Sequence, residues 1–276
     1  MYQSIRYYRQ VDIVSSIPTP GYLGPGDILP LTTFWGLRAM SRANIGTKAI
    51  RLRRSSDNAE QDFFTIRGGG LDLSTIQTFK GADNLFCTTV YDQTGRGDDL
   101  SQSSAAAQPA FSIIDGRGYL DNTSSSGVNL NNSAYASRAG PWSAQAVYKA
   151  TSFTTTYGTI LATHDTNGGF WARNDDFITF WGFSAAAATA LTGTFHVVHG
   201  VANNSPNGLV AAEGSIVSAD TGSGSLDGGV NVFTDGGLVS DKFAGLWGEG
   251  MFWANTVLSS GQVSSLAANA RAFWGF

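Results

Sequence analysis

Four aromatic and three polar residues lie close together in the middle of the chain: Phe170, Trp171, Phe180, Trp181, Asn174, Asp175 and Asp176. Such a mixture is typical of a sugar-binding site, because aromatic rings stack on the C–H face of a pyranose ring while amides and carboxylates bind its hydroxyl groups. The pattern predicts ligand-binding roles for Trp171, Asn174, Asp175 and Trp181. The alternative is that the aromatic residues belong to a hydrophobic core.

Neighbouring aromatic residues in this segment point to opposite faces if the segment is a strand. Successive side chains alternate between the two faces of a sheet, so at most one of Phe170 and Trp171 can lie in the core. The same holds for Phe180 and Trp181. We therefore expect one member of each pair to face loops, solvent or a partner.

The composition indicates one large all-β domain. Among 276 residues there are 34 glycines, 12% aromatic residues and only 14% charged residues, which is typical of strands joined by many tight turns around an aromatic-rich core. The formal net charge is −4, and no basic run stands out beyond Arg51, Arg53 and Arg54. We therefore predict no nucleic-acid partner.

From residue 111 onward, short apolar runs separated by turn residues predict strands of a two-sheet sandwich. The predicted strands are Phe111–Ile114, Val128–Leu130, Trp142–Lys149, Gly158–Ala162, Gly169–Ala172, Phe177–Phe183, Thr194–Val201, Gly208–Glu213, Ser215–Ser218, Val230–Thr234 and Gly245–Trp253.

Helical periodicity is present near both ends of the predicted sandwich. Leu31–Arg42 reads as a short helix, and Leu258–Trp274 as a longer one with Ser259 or Ser260 as its N-cap. Leu71–Phe79 is expected to contain a helical turn, and Ala185–Ala190 to be a loop or a small packed turn.

Several kinds of site are not predicted. The single cysteine, Cys87, lies in an apolar run and is expected in the core. His196 and His199 would lie on opposite faces of a strand, which is poor for joint metal binding, and neither a metal nor a cofactor is predicted.

The sequence shows no signal peptide and no apolar run of the roughly 18 residues that a membrane helix needs, so we expect synthesis in a reducing cytoplasm.

Residues 1–30 differ from the rest of the chain. They combine aromatic and basic residues with a proline-rich stretch that excludes a continuous helix or central strand. We expect a docking arm that orders against a partner, and packing on its own domain is the alternative. The candidate docking residues are Tyr2, Arg6, Tyr7, Tyr8 and Arg9. The sandwich is expected to occupy residues 31–276.

Two segments, residues 49–62 and 88–100, each run from a predicted strand into a polar turn. They resemble the "VRR-SSD-x-x-x-x-D" and "WYDQSGNGxDLxQ" motifs of the α-L-arabinofuranosidase B family, here at Arg51–Asp62 and Val90–Gln102. The "QP-x-F" that follows is similar to residues 108–111, and the final strand and helix to residues 245–273. The resemblance implies a concanavalin A-like two-sheet jelly roll with a short N-terminal helix and a C-terminal helix.

The resemblance also implies positions for the family's two catalytic carboxylates. The family's acid corresponds to Asp235, with Asp241 as a second possibility. Its nucleophilic glutamate corresponds to Thr166 without a gap, or to Asp165 with a one-residue gap. The vicinal cysteine pair that walls the family's sugar pocket has no counterpart. Because the pair looks incomplete, no catalytic residue is predicted outright, and Asp235 is also a candidate ligand-binding residue.

An incomplete catalytic pair, the absence of an export signal and the N-terminal arm together suggest a function. The chain resembles domains of tailed-phage structural proteins, which favours a non-catalytic virion component, either a tail fibre or tip protein or a head decoration. Such a protein would form a symmetric homo-oligomer on the particle, bind other virion proteins through the arm and contact host surface glycans. The alternatives are an arabinofuranosidase-like glycoside hydrolase using Asp235, with Asp165 as its partner, and a free carbohydrate-binding lectin.

Overall fold

The computed structural model describes residues 21–123, 127–138, 140–152, 157–163, 169–173, 177–180, 185–188, 192–203, 208–212, 215–219, 228–234 and 242–276. The helices are α1 Pro25–Ile28, α2 Leu73–Lys80 and α3 Ser260–Trp274, with short 3-10 turns at Arg42–Asn44 and Ala105–Ala107. The strands are β1 Thr33–Gly36, β2 Lys48–Arg54, β3 Glu60–Phe64, β4 Leu85–Val90, β5 Leu100–Ser101, β6 Ala110–Ile114, β7 Arg117–Asp121, β8 Leu130–Asn132, β9 Trp142–Ser152, β10 Tyr157–Thr163, β11 Gly169–Arg173, β12 Phe177–Phe180, β13 Ala185–Ala188, β14 His196–Ala202, β15 Gly208–Ala212, β16 Ser215–Ala219, β17 Val230–Val232 and β18 Ala244–Ala254.

The strands form two antiparallel layers. In the first layer the order is β3-β2-β4-β5-β8-β17-β10-β11-β12-β13. In the second layer β18 pairs with β1 and β7 on one side and with β9 on the other, and β14, β15 and β16 follow β9. Strand β6 joins the layers, because it pairs with β4 and with β7. The predicted all-β, jelly-roll sandwich with a short N-terminal and a C-terminal helix is confirmed.

The main core lies between the two layers and is rich in large aromatic residues. Trp35, Trp142 and Phe252 pack edge to face, with ring centroids 5.8 Å apart in each contact with Phe252. The central strands β9 and β18 are buried over nearly their whole length, because α3 covers part of the face turned away from this core. Cys87 lies in the main core, as expected from its apolar neighbours.

Helix α3 closes a smaller second core on the outside of the second layer. Ser259 is its N-cap: the Ser259 hydroxyl accepts a hydrogen bond from the Gln262 N–H, and the Gln262 side chain accepts one from the Ser259 N–H. Val263 and Leu266 of α3 pack there against residues of β1, β14 and β18. The predicted helix and its cap are confirmed. No helix in the described residues is long and apolar enough to cross a membrane.

Two local predictions are wrong. The segment Leu31–Arg42 is not a helix, because it contains β1, whose residues pair with β18 from Thr33 opposite Phe252 to Gly36 opposite Glu249. All four residues of β1 are buried, so neither face of the strand is solvent-exposed and the alternation of apolar and exposed polar residues that would reveal it is absent. Within the stretch 185–190, Ala185–Ala188 is the strand β13, paired with β12.

A fully buried ion pair joins the N-terminal segment to the last strand. Arg38 donates from Nε to Glu249 Oε2 at 2.5 Å and from Nη2 to Glu249 Oε1 at 2.8 Å, and both side chains have 0% exposure. Asn269 of α3 accepts a third hydrogen bond from Arg38, and Gln145 of β9 donates to Glu249. The pair therefore connects β18, β9, α3 and the segment after β1.

Residues 21–30 contact this ion-pair region. The Tyr22 hydroxyl donates to the Ala39 carbonyl, and Asn269 of α3 donates to the Leu23 carbonyl. Residues 1–20, including Tyr2, Arg6, Tyr7, Tyr8 and Arg9, lie outside the described residues. The division into an arm and a sandwich stays a prediction.

Replacing Glu249 by Gln is expected to lower the free energy of unfolding by about 3–5 kcal/mol, because it leaves a buried guanidinium without a countercharge. The double variant Arg38→Met/Glu249→Met should recover much of that loss, since neither charge remains. Urea unfolding measures all three proteins.

The matched control is Arg96→Gln, which breaks an exposed pair with Asp98 at 3.5 Å and should change little. Equal effects of Glu249→Gln and Arg96→Gln would show that the buried pair does not hold the fold together.

Candidate functional site

The two motif segments lie side by side in the first layer. Strand β2, which carries the first motif, pairs with β3 on one side and with β4 on the other. Arg51 therefore stands opposite Asp62 in β3 and opposite Thr89 in β4. The start and the end of the first motif thus meet across the β2–β3 hairpin.

Three side chains surround the Asp62 carboxylate. Arg51 Nε, Lys48 Nζ and the Tyr91 hydroxyl each lie 2.6 Å from an Asp62 oxygen. The hydrogen bond from Arg51 is the largest of the influences that hold the pKa of Asp62 well below its usual range. A carboxylate fixed in its charged form cannot deliver a proton near neutral pH, so Asp62 orders this surface and is not a general acid.

The polar residues of the second motif tie its loop to the segment around β1. The Asp92 carboxylate accepts hydrogen bonds from the N–H groups of Phe34, Thr94 and Arg96, at 3.1–3.2 Å. The Gln93 amide donates to the carbonyls of Gly36 and Arg38 at 3.1 and 2.8 Å. Asp92 and Gln93 are both buried, so these motif residues stabilise the fold and do not face a substrate.

Both candidate catalytic carboxylates, Asp165 and Asp235, lie outside the described residues, but the strands before them are adjacent. In β10 and β17, Ala162 pairs with Asn231 and Thr163 pairs with Val230, and the strands are antiparallel. The chain therefore leaves β10 towards Asp165 and leaves β17 towards Asp235 at opposite ends of the pair. The two catalytic carboxyl groups of a glycosidase lie ~5–9.5 Å apart. If Asp165 and Asp235 form such a pair, the chain after β10 or the chain after β17 must turn back along the strands.

Trp171 is the one predicted ligand-binding residue that the structure describes. Its exposed fraction is 5%, while Phe170 on the other face of β11 is fully buried in the main core. Only Phe170 lies in a hydrophobic core, as predicted, whereas Trp171 belongs to neither core and is nevertheless almost fully buried, because protein covers both faces of β11. The ligand-binding role of Trp171 stays a prediction, as do those of Asn174, Asp175 and Trp181, which lie outside the described residues.

Two buried polar residues near Trp171 had not been singled out from the sequence. Thr159 stands opposite Trp171, and its Oγ1 has no hydrogen-bond partner among the described residues. Asn231 is 1% exposed, and its Nδ2 likewise lacks a partner there. In the sequence, Asn231 stands between Val230 and Val232 and reads as the solvent-facing position of an alternating strand. Only its burial in the structure distinguishes Asn231 from a solvent-facing residue of a strand.

A third buried polar group lies under α3. His199 stands opposite Gln145 in the β9–β14 pair. Burial, together with the positive charge of Arg271, lowers the pKa of His199 to about 3. No group of three or more His, Cys, Asp or Glu side chains suited to a metal ion occurs in the described part of the chain.

No family model and no curated protein sequence matches the chain. Solved structures do match. An arabinofuranosidase complexed with arabinofuranosyl-α-1,2-xylobiose has a TM-score of 0.67 and 16% identity, covering 91% of this chain. A GH54 α-L-arabinofuranosidase soaked with a cyclic sulfate inhibitor has a TM-score of 0.66, also with 16% identity and 91% coverage. The chain spans 65% of the length of each of these two proteins. At this identity the similarity establishes the fold.

These findings correct the expectation of a phage protein. The structures that match nine-tenths of the chain are glycoside hydrolases, and nothing in the comparisons indicates a bacteriophage tail fibre, tip protein or capsid decoration. The virion hypothesis is therefore wrong. It depended on a catalytic pair that looked incomplete in the sequence, on the expected absence of an export signal and on the expected N-terminal arm, none of which is specific to virion proteins.

Replacing His199 by Gln is expected to flatten the acid side of the stability curve. The folded state keeps His199 neutral down to a pKa of about 3, whereas the unfolded chain binds a proton below the usual histidine pKa of roughly 6.5. Stability due to this group is thus lost progressively as pH falls from about 6.5 towards 3.

Urea midpoints measured between pH 7 and pH 5 check this expectation. The native protein should lose more stability than His199→Gln over that interval. Parallel pH profiles of the two proteins would contradict it.

Proposed function

We propose that this protein is an arabinofuranosidase-like glycoside hydrolase, which cleaves the bond between a terminal α-L-arabinofuranosyl unit and the group that carries it. The observation that carries the proposal is the likeness of fold to arabinofuranosidases over 91% of the chain. The two motif segments at Arg51–Asp62 and Val90–Gln102 support it, because they pack together at one place in that fold.

In this proposal Asp235 is the general acid and Asp165 is the opposing carboxylate. Asp235 gives its proton to the glycosidic oxygen as the bond from that oxygen to the anomeric carbon breaks. Asp165 then either attacks the anomeric carbon, forming an ester that water hydrolyses, or takes the proton of an attacking water. A separation of ~5–5.5 Å between the carboxyl groups favours the first route and ~6.5–9.5 Å the second.

A second candidate function is carbohydrate binding without turnover. Two observations favour it: Thr166 stands where the ungapped resemblance requires a glutamate, and the chain leaves β10 and β17 at opposite ends. A protein of this kind would bind the same sugars through the predicted ligand-binding residues Trp171, Asn174, Asp175, Trp181 and Asp235.

Release of 4-nitrophenolate from 4-nitrophenyl α-L-arabinofuranoside tests the hydrolase. The native protein should release it, and Asp165→Asn should abolish release. On arabinofuranosyl-xylobiose, Asp235→Asn should lower kcat by roughly 10²–10⁴, the usual contribution of a general acid. The loss should be smaller on the aryl substrate, because 4-nitrophenolate leaves without needing a proton.

The matched control is Asp115→Asn, in the exposed turn between β6 and β7. Asp115 has a φ of 50°, a conformation that Asn adopts readily, so activity should be unchanged. Saturable sugar binding without release would establish the second candidate instead, and neither binding nor release would exclude both.

A further inference from the structure

An open groove of about 1020 Å³ lies on the surface beside α3. The segment 21–28 and the turn 66–74 form part of its lining, and the rest comes from the turn 115–117 and from α3. Its volume is at the upper end of the roughly 300–1,000 Å³ that ligand pockets occupy. No residue of β10 or β17 lines the groove, so it is separate from the strands that lead to the proposed catalytic residues.

Two large aliphatic side chains on the wall of the groove are exposed. Leu23 is 47% exposed and Ile66 is 43% exposed, and both line the groove together with Leu71 and Phe273. Apolar surface gains roughly 25 cal/mol for every Å² that is removed from water. A stretch of chain that covered Leu23 and Ile66 would therefore be stabilised there.

The polar side chains of the groove are largely engaged within the protein. Asp72 accepts the hydrogen bonds that cap α2. Both ends of the Asn269 amide bind other groups of the protein, and the Arg117 guanidinium donates to the Phe273 carbonyl. A polar small molecule needs convergent polar groups that are free to bind it. The groove therefore suits an apolar stretch of chain better than a sugar.

The first described residues of the chain lie in this groove. Gly21 and Tyr22 both line it. Two hydrogen bonds hold this end of the chain in place, because Arg42 Nε donates to the Tyr22 carbonyl and Asn269 Nδ2 donates to the Leu23 carbonyl, each at 2.6 Å. Residues 1–20 are therefore joined directly to the wall of the groove.

Residues 1–20 include aliphatic side chains of the kind that the groove would bury. Val11, Ile13, Val14 and Ile17 all lie within the ten residues before Gly21. Ten residues span at most about 35 Å when fully extended. All four side chains are thus close enough along the chain to meet the groove.

Covalent attachment favours this segment over any separate molecule. A short flexible connection gives an effective concentration in the millimolar range. At about 1 mM, a segment whose intrinsic Kd for the groove is about 0.1 mM would be bound roughly nine-tenths of the time. A separate partner would first have to displace it.

We propose that the groove is the docking site of residues 1–20 of this same chain, with the aliphatic side chains of residues 11–17 covering Leu23 and Ile66. The segment then packs on its own domain and not on a partner. The inference is independent of the proposed hydrolase, because it concerns a different surface and needs no catalytic residue.

Digestion of the whole chain with trypsin tests the docking. Trypsin cuts after arginine, and Arg6 and Arg9 lie in the segment, so mass spectrometry can follow cleavage there. A free peptide of residues 1–20 gives the rate without docking. If the segment is bound nine-tenths of the time, cleavage at both arginines should be about tenfold slower in the native protein than in the peptide.

Two variants should release the segment. Ile66→Asp should raise cleavage at both arginines to nearly the rate of the peptide, because it places a carboxylate where the aliphatic side chains dock. Ile17→Asp, which changes the segment at a distance from both cleavage sites, should have the same effect.

The matched control is Val257→Asp. Val257 is also 43% exposed but does not line the groove, so this variant should keep the protection of the native protein. Because Ile66 and Val257 are both exposed, both variants should stay folded, which circular dichroism checks.

Cleavage of the native protein at the rate of the peptide would overturn the proposal. Unchanged protection in either Ile66→Asp or Ile17→Asp would also overturn it, as would equal release in Val257→Asp. Sedimentation separates docking within one chain from exchange between two copies. Monomers should show the same protection at every protein concentration, whereas protection that is found only in dimers would mean that a second copy supplies the segment.

Discussion

The ion pair between Arg38 and Glu249 is the interaction on which the arrangement of the second layer depends. Two opposite charges with no exposure to solvent are tolerated only when each meets the other in good geometry with further hydrogen bonds. Those bonds come from α3 through Asn269 and from β9 through Gln145. The positions of the helix, the last strand and the segment after β1 are thus linked through one buried ion pair and its hydrogen bonds.

The residues of the two motif segments also serve mainly to hold the structure together. Their most distinctive residues build structure: Asp62 is surrounded by three donors, and Asp92 and Gln93 bind backbone groups of the segment around β1. A motif can therefore persist in a fold because it holds strands and loops in place, whatever the chemistry at the other end of the sheet. Resemblance in such residues indicates the architecture more directly than the reaction.

Much of the fold could be predicted from the sequence, and the reasons for success and failure are local. The strand from Trp142 was predicted from a short apolar run bounded by turn residues, and the final helix from its apolar periodicity and its capping serine. The strand β1 was not, since a strand buried on both faces shows no alternation. The alignment of polar residues across six strands could not be predicted, because the pairing of strands far apart in the chain brings Asp62, Arg51, Thr89, Ser101, Asn131 and Asn231 into line. Asn231 looked like an ordinary solvent-facing residue until its burial was known.

Ser101 and Asn131, which stand opposite each other in β5 and β8, have a consequence for how this protein can change. No hydrogen bond within the described part of the chain involves the side chains of Ser101 or Asn131, and both project away from the core. Substitutions at these two positions are therefore expected to leave the core beneath them undisturbed. A single pleat thus separates positions that are free to vary from the neighbouring positions, Leu100 and Leu130, whose side chains the core requires.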